Sequence, residues 1–271
     1  MAAVLKRTIA PALFSVLRPA YFWVRGTLVG WLERRNGIET DGEIGLAELG
    51  IDGPDRSRYK PAGWFMLRRI LPSREVGPGD VFLDVGSGMG RAVFQAAKDY
   101  PFRRVIGVEL SEQLNDVARG NIDRNRHRLR CQDVVLLAVD AAEYQVPDDV
   151  TVVFLYNPFT GEIFAGFIRQ LLASIDRSPR RVRVIYGNPI EHDLLMGTGR
   201  FREVKLLRGL RPDPEWSRSN STKLYEVLLL GRRTPAPSAA PDPPRATSAP
   251  SGVALAPAAG RAAGPARPAS P

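Results

Sequence analysis

Phe82-Leu83-Asp84-Val85-Gly86-Ser87-Gly88-Met89-Gly90-Arg91 is the stretch on which the fold turns. The apolar run Val81 to Val85 has the length of a buried strand, and it enters a loop with glycine at every second position. Arg91 to Lys98 follows with helical character. Glycines at 86, 88 and 90 permit a tight turn and close approach of backbone to a ligand, and they set the N-terminus of the next helix against it. The dinucleotide fingerprint asks for a glycine where this chain has Arg91. The spacing is therefore G-x-G-x-G, with Asp84 two residues before it.

On its C-terminal side, strand and helix signals alternate. Val105 to Leu110 reads as a second strand. Ser111 suits the N-cap of a helix to about Asn125, whose Leu114, Val117, Ala118 and Ile122 share a face. Val134 to Val139, Val150 to Tyr156 and Val182 to Tyr186 read as further strands. Between the last two, Ile163, Phe164, Phe167, Ile168, Leu171, Leu172 and Ile175 repeat at helical spacing, which is core packing. Phe201 to Leu207 and Leu224 to Leu230 lack an intervening helix, as an antiparallel closing pair would. Five β-α units and such a pair predict an α/β fold: a Rossmann-like, doubly wound, seven-stranded and mostly parallel sheet.

In such sheets ligands bind beyond the carboxyl ends of the central strands, which directs attention to four loops. The glycine loop is the first. The second strand ends in Glu109-Leu110, about twenty residues beyond the glycines, where a carboxylate can accept both ribose hydroxyls of an adenosine. The third strand ends in Asp140-Ala141, an acceptor for an adenine amino group beside a small residue that leaves room for the ring. Taken alone, Asp140 reads equally well as a turn or cap residue. The fourth loop is Tyr156-Asn157-Pro158-Phe159. There Asn157 can present oxygens to a nucleophile while Tyr156 or Phe159 supplies an apolar wall, and the alternative is a proline turn with core aromatics.

The chain has 271 residues, enough for one sizeable core, and a formal charge of +9. That charge is concentrated at the ends. Residues 1–36 carry Lys6, Arg7, Arg18, Arg25, Arg34 and Arg35 against Glu33, and residues 234–271 carry Arg245, Arg261 and Arg267 against Asp242. The near-neutral remainder lacks the basic stripe that phosphate-backbone binding requires, so charge gives no strong nucleic-acid signal. The run Arg124, Arg126, Arg128 and Arg130 reads as a solvated face. Cys131 is the single cysteine, with no partner for a disulfide, which fits a reducing cytoplasm. His127 and His192 stand without a carboxylate cluster, so no metal site is expected.

Three segments follow from composition: 1–36, a basic amphipathic helical arm; 37–232, a globular α/β domain; and 233–271, a disordered Pro/Ala-rich tail with only Val253 and Leu255 as large aliphatics. In the arm, Arg18 and Arg25 interrupt the uncharged stretches, so it is too short to span a bilayer. On a helical wheel Arg7, Arg18 and Arg25 oppose Ile9, Leu13, Leu17, Val24, Leu28 and Trp31, with Pro11 and Pro19 as kinks or helix starts. Two readings stand: peripheral contact with an anionic membrane surface, or a helix packed on the core or on a second subunit.

The four loops together resemble the class I S-adenosylmethionine-dependent methyltransferases. Phe82-Leu83-Asp84-Val85-Gly86-Ser87-Gly88-Met89-Gly90 and Gly107-Val108-Glu109-Leu110 look most like the non-SET-domain histone lysine methyltransferases of the telomeric-silencing-disruptor type. They are also similar to the lysine methyltransferases of the ATP synthase c-subunit. The resemblance spans about residues 57 to 190. It implies S-adenosyl-L-methionine as cofactor, held by Tyr59, Asp84, Gly86, Ser87, Gly88, Gly90, Glu109, Leu110, Asp140, Ala141 and Asn157. Tyr59-Lys60-Pro61-Ala62 looks like the segment that closes over the cofactor in those relatives, though Tyr59 and Trp64 also read as core.

Methyl transfer from a sulfonium is an in-line displacement that needs positioning and exclusion of water rather than a catalytic triad. Asn157 is expected to orient an amine or similar nucleophile, with Tyr156 and Phe159 as the pocket wall. The acceptor stays open between a protein lysine and a small molecule, because Tyr156, Asn157 and Pro158 stand where the histone enzymes have an Asn-Asn-Phe run. A non-catalytic cofactor-binding or scaffolding protein and a nucleotide-dependent oxidoreductase remain as competing readings, Arg91 counting against the latter.

Overall fold

The computed structural model describes residues 19–20, 22–208 and 221–230. The part of the expected arm at 1–18, including Ile9, Leu13 and Leu17, and the whole of the expected disordered tail lie outside them. Helix α1 occupies residues 22–36 and α2 Met66–Ile70. Then β1 (Val81–Val85), α3 (Arg91–Asp99), β2 (Arg104–Glu109), α4 (Glu112–Asn125), β3 (Val134–Ala138), β4 (Val152–Tyr156), α5 (Gly161–Arg177), β5 (Arg183–Gly187), α6 (His192–Gly197), β6 (Phe201–Leu207) and β7 (Thr222–Val227) follow.

The seven strands form one sheet in the order β3-β2-β1-β4-β5-β7-β6. Strands β1 to β5 pair in parallel, and β7 lies antiparallel between β5 and β6. The expected Rossmann-like topology is present. Its strand order reverses between β1 and β4, so the glycine loop and the Tyr156 loop leave the sheet side by side at the switch point.

Alternation along the strands builds a core on each face. Leu83, Val85, Val153 and Leu155 pack with Phe164, Phe167, Leu171 and Ile175 of α5. Phe82, Val105, Val152 and Phe154 pack on the other face with Leu67 and Ile70 of α2, Phe94 and Ala97 of α3, and Ile122 of α4. Ser111 caps α4 by accepting the Leu114 N–H at 3.3 Å.

Two expectations need correction. Residues 139–151 between β3 and β4 carry turns and no helix, so the count of five β-α units is one too high. Pro147 and the Asp148-Asp149 pair oppose a helix there, while Ala141 and Val146 are buried in the α5 layer and Asp148 holds Arg177 and the Ser174 hydroxyl. The last strand is Thr222–Val227 rather than 224–230. It stops where its partners end, with the Leu228 N–H turned to the Arg200 carbonyl and Leu230 exposed.

Helix α1 packs by a different face from the one its apolar residues suggest. Val29 and Asn36 are buried, and Glu33 reaches inward to Arg91 and Thr40. Val24, Leu28 and Trp31 point the other way and are exposed.

Candidate functional site

Each glycine of the loop has positive φ, at 73°, 53° and 79° for Gly86, Gly88 and Gly90, a conformation that favours glycine. Each also lies against a different neighbour. A Cβ on Gly86 would stand 2.2 Å from Pro158 Cβ, one on Gly88 2.3 Å from the Tyr59 ring, and one on Gly90 2.9 Å from Ala118 Cβ. The glycines thus draw together the fourth loop, the segment before the sheet, and α4.

Glu109, at the end of β2, accepts the Gly88 N–H through Oε2 at 2.8 Å and the Ser111 N–H through Oε1 at 3.0 Å. These bonds fix the carboxylate beside the loop and leave each oxygen a further lone pair. Burial pushes its pKa above the ordinary value, with the Ser111 and Gly88 N–H groups pulling back. Asp84 is fully buried at the end of β1. Desolvation, followed by the nearby Glu109 charge, raises its pKa well above the usual carboxylate range.

A cavity of about 670 Å³ opens over these groups, within the size range of small-ligand sites. Of the residues expected from sequence, Tyr59, Asp84, Gly86, Ser87, Glu109, Leu110, Ala141, Tyr156, Asn157 and Phe159 line it. Gly88 and Gly90 sit behind the Tyr59 ring and Ala118. Asp140 is placed differently. Its Oδ2 pairs with Arg56 at 2.6 Å and its Oδ1 accepts the Ala142 N–H at 2.9 Å. Burial alone would raise its pKa, but the Ala142 N–H and the Arg56 guanidinium outweigh burial and hold it below the usual value.

The Tyr156 loop combines a buried aromatic with residues on the cavity wall. Phe159 is buried, with ring centroids 6.4 Å from Phe164 and 6.2 Å from Phe167, yet it also reaches the cavity wall. Tyr156 is half-buried, its ring against Gly187. Asn157 has φ 47°, an uncommon conformation outside glycine, and its Oδ1 accepts the Tyr186 hydroxyl at 3.4 Å.

A strap before the sheet binds this loop down. The Ser57 N–H donates to the Pro158 carbonyl at 3.0 Å, and the Thr160 N–H donates to the Asp55 carbonyl at 2.8 Å. Tyr59 closes the strap over the glycine loop, its hydroxyl donating to the Thr40 carbonyl at 2.6 Å. Arg56, Asn188 and the apolar Leu46, Leu49 and Ile51 also line the cavity. Sequence reading missed them, because no fixed spacing ties them to the glycine loop.

Arg91, absent from the dinucleotide pattern, is 4% exposed. It donates to Glu33 Oε1 at 3.0 Å, Thr40 Oγ1 at 2.6 Å and the Ala62 carbonyl at 3.0 Å, and its guanidinium lies 5.2 Å from the centre of the Trp64 ring. The first residue after the glycine loop is thus the anchor for both α1 and the strap.

With the geometry in view, residues 64–150 match the family model of the histone methylation protein DOT1, about a third of the chain. A protein-lysine N-methyltransferase of Saccharolobus islandicus (strain REY15A) is 34% identical over 67 residues. That alignment covers 25% of this chain and 42% of the relative, so the chain spans less than half of the curated protein that it matches. Among solved structures, an RNA methyltransferase from Salinibacter ruber in complex with S-adenosyl-L-homocysteine superposes with a TM-score of 0.43 at 21% identity, covering 62% of this chain and 94% of that one. An S-adenosylmethionine-dependent methyltransferase from Aquifex aeolicus gives 0.44 at 14% identity, covering 61% and 93%. The likeness to class I methyltransferases read from the glycine loop and Glu109 is matched by the family model across both motifs.

Proposed function

We propose that this chain is an S-adenosylmethionine-dependent methyltransferase of the Rossmann-like class I, acting on an amine. One observation carries the reading: the carboxylate suited to a ribose is hydrogen-bonded to the backbone of the glycine loop itself, in the lining of a cavity of about 670 Å³ on the sheet's switch point.

The residues fit the cofactor. Glycine at 86, 88 and 90 lets Pro158, Tyr59 and Ala118 close against the loop, Glu109 has lone pairs for two hydroxyl donors, and Ala141 leaves space for a purine. Buried Asp84 and Glu109 suit a ligand that carries positive charge. The cofactor supplies a methyl group on a sulfonium. The chain supplies the rest: the strap and Phe159 exclude water, and Asn157 directs a nitrogen lone pair into the cavity through its amide oxygen. Match to the lysine-modifying relatives favours a protein lysine as acceptor over a small molecule. Cys131, buried and alone, fits a reducing cytoplasm.

Calorimetry of purified protein with S-adenosylhomocysteine and with NAD tests the cofactor, and a radiolabelled methyl assay on cell extract tests turnover. Binding of the first ligand alone, with label entering protein, is the expected result. Binding of NAD alone would return the chain to the oxidoreductases, and binding without transfer would make it a cofactor-dependent scaffold.

A further inference from the structure

Helix α1 presents two opposed faces. The core face carries Phe22, Val29, Glu33 and Asn36; Phe22 reaches the cavity wall and Glu33 is bonded to Arg91. On the opposite face Val24, Leu28 and Trp31 fall at i, i+4 and i+7, with 57%, 45% and 48% of their surfaces exposed. Trp23, 73% exposed, stands at the edge of this stripe. Arg25 on one side and Arg34 on the other flank it, and the Arg35 guanidinium lies 5.3 Å from the centre of the Trp31 ring. Glu33 is the sole acid among residues 22–36, and it is turned inward. The outer surface of α1 is therefore an apolar stripe with tryptophans and arginines, with the Glu43 carboxylate on the Arg25 side, where Arg25 also lines the cavity.

We propose that this face lies in the surface of an anionic lipid bilayer. Charge decides among the occupants. The segment 234–271 holds three arginines against one aspartate, which gives it no attraction for Arg34 and Arg35, and a second copy would bring the same arginines into opposition. An anionic bilayer attracts the arginines while its acyl boundary receives Trp31, Leu28 and Val24. Arginine stems beside the stripe can snorkel to the phosphates, and tryptophan favours this depth. The sequence of residues 1–18 adds Lys6, Arg7 and Arg18 of the same charge. No helix among the described residues is long and apolar enough to cross a membrane. The proposal does not depend on the methyltransferase reading.

The test is co-sedimentation of the full chain with vesicles of phosphatidylcholine alone and of phosphatidylcholine with phosphatidylserine, with tryptophan fluorescence as a second readout. The intact chain should sediment with the anionic vesicles, shift its emission to the blue, and be released by salt. The double variant Leu28→Glu, Trp31→Glu should bind them about tenfold or more weakly while melting at the same temperature, since neither side chain is in the core. Failure of the intact chain to bind, or unchanged binding by the variant, would overturn the proposal. So would a dimer in sedimentation velocity that the variant dissociates, because the stripe would then belong to a second copy.

Discussion

Glu33 of α1 and Arg91 at the start of α3 form a buried ion pair at 3.0 Å, their side chains 14% and 5% exposed. Burial lowers the Arg91 pKa, while Tyr59 and Glu33 pull it back up. An arginine so placed needs its acid. Removing one member of a buried pair strands the other, so Glu33→Ala should destabilise the fold by about 3 kcal/mol. Glu33→Gln keeps an acceptor for Arg91 and Thr40 and should lose less. Urea midpoints compare the two, and equal losses would show that the charge of Glu33 contributes nothing.

Gly88 and Tyr59 predict a coupled pair of effects. Gly88→Ala places a methyl 2.3 Å from the Tyr59 ring at a φ of 53°, so the ring must leave the loop. The backbone strain alone costs about 1 kcal/mol. The affinity for S-adenosylhomocysteine should fall about tenfold or more, because the displaced ring no longer closes the cavity and the Gly88 N–H that holds Glu109 shifts with it. In a double-mutant cycle with Tyr59→Ala the two changes should be strongly non-additive by calorimetry; simple additivity would mean that the contact has no part in binding.

The sheet was legible because its signals are local. Val81 to Val85 and the glycines at 86, 88 and 90 announce a strand and its turn within ten residues, and α5 shows its face by period alone. The missing crossover helix was not legible, since Val146 and Ala141 bury without helical spacing. The site divides in the same way. Glu109 follows from its distance to the glycines, but Arg56 reaches Asp140 across 84 residues of chain, and Arg91 meets Glu33 across 58. Pairings of that kind leave no trace in spacing. In α1, Val24, Leu28 and Trp31 share an exposed face, and which face the core takes depends on Glu33, a charged residue that ordinarily signals solvent.

Asp84 and Glu109 make stability depend on pH in a definite direction. Both pKa values are raised in the folded chain above their ordinary values of 3.8 and 4.5. The folded state then binds more protons than the unfolded one between the ordinary and the raised values, so stability is complete below pH ~4 and declines as pH rises through the folded values. Denaturation of the ligand-free protein from pH ~4 upward should show this decline, and Asp84→Asn should flatten it. Affinity for the sulfonium cofactor should run the opposite way and rise with pH, because ionised Asp84 attracts a cation. A ligand-free protein that gains stability across the same range would contradict the burial of these carboxyls.

Asn157 holds φ at 47° with its amide oxygen 3.4 Å from the Tyr186 hydroxyl, so its replacement changes backbone and side chain together unless the substitute tolerates that conformation. Asn157→Gly separates the two. Glycine accepts the positive φ without strain and removes only the amide. If the amide oxygen orients the acceptor nitrogen, kcat should fall about tenfold to a hundredfold, the value of one well-placed hydrogen bond to a reacting group, while KM for the cofactor stays within about twofold. Asn157→Ala should lose as much turnover and some stability besides. Asn157→Asp offers an oxygen to the same nitrogen but attracts its proton, so its rate should recover only as pH rises toward that of the free amine. A glycine variant with full turnover and an aspartate variant with an unaltered pH profile would together remove Asn157 from the reaction, leaving the loop as a support for Pro158 against Gly86.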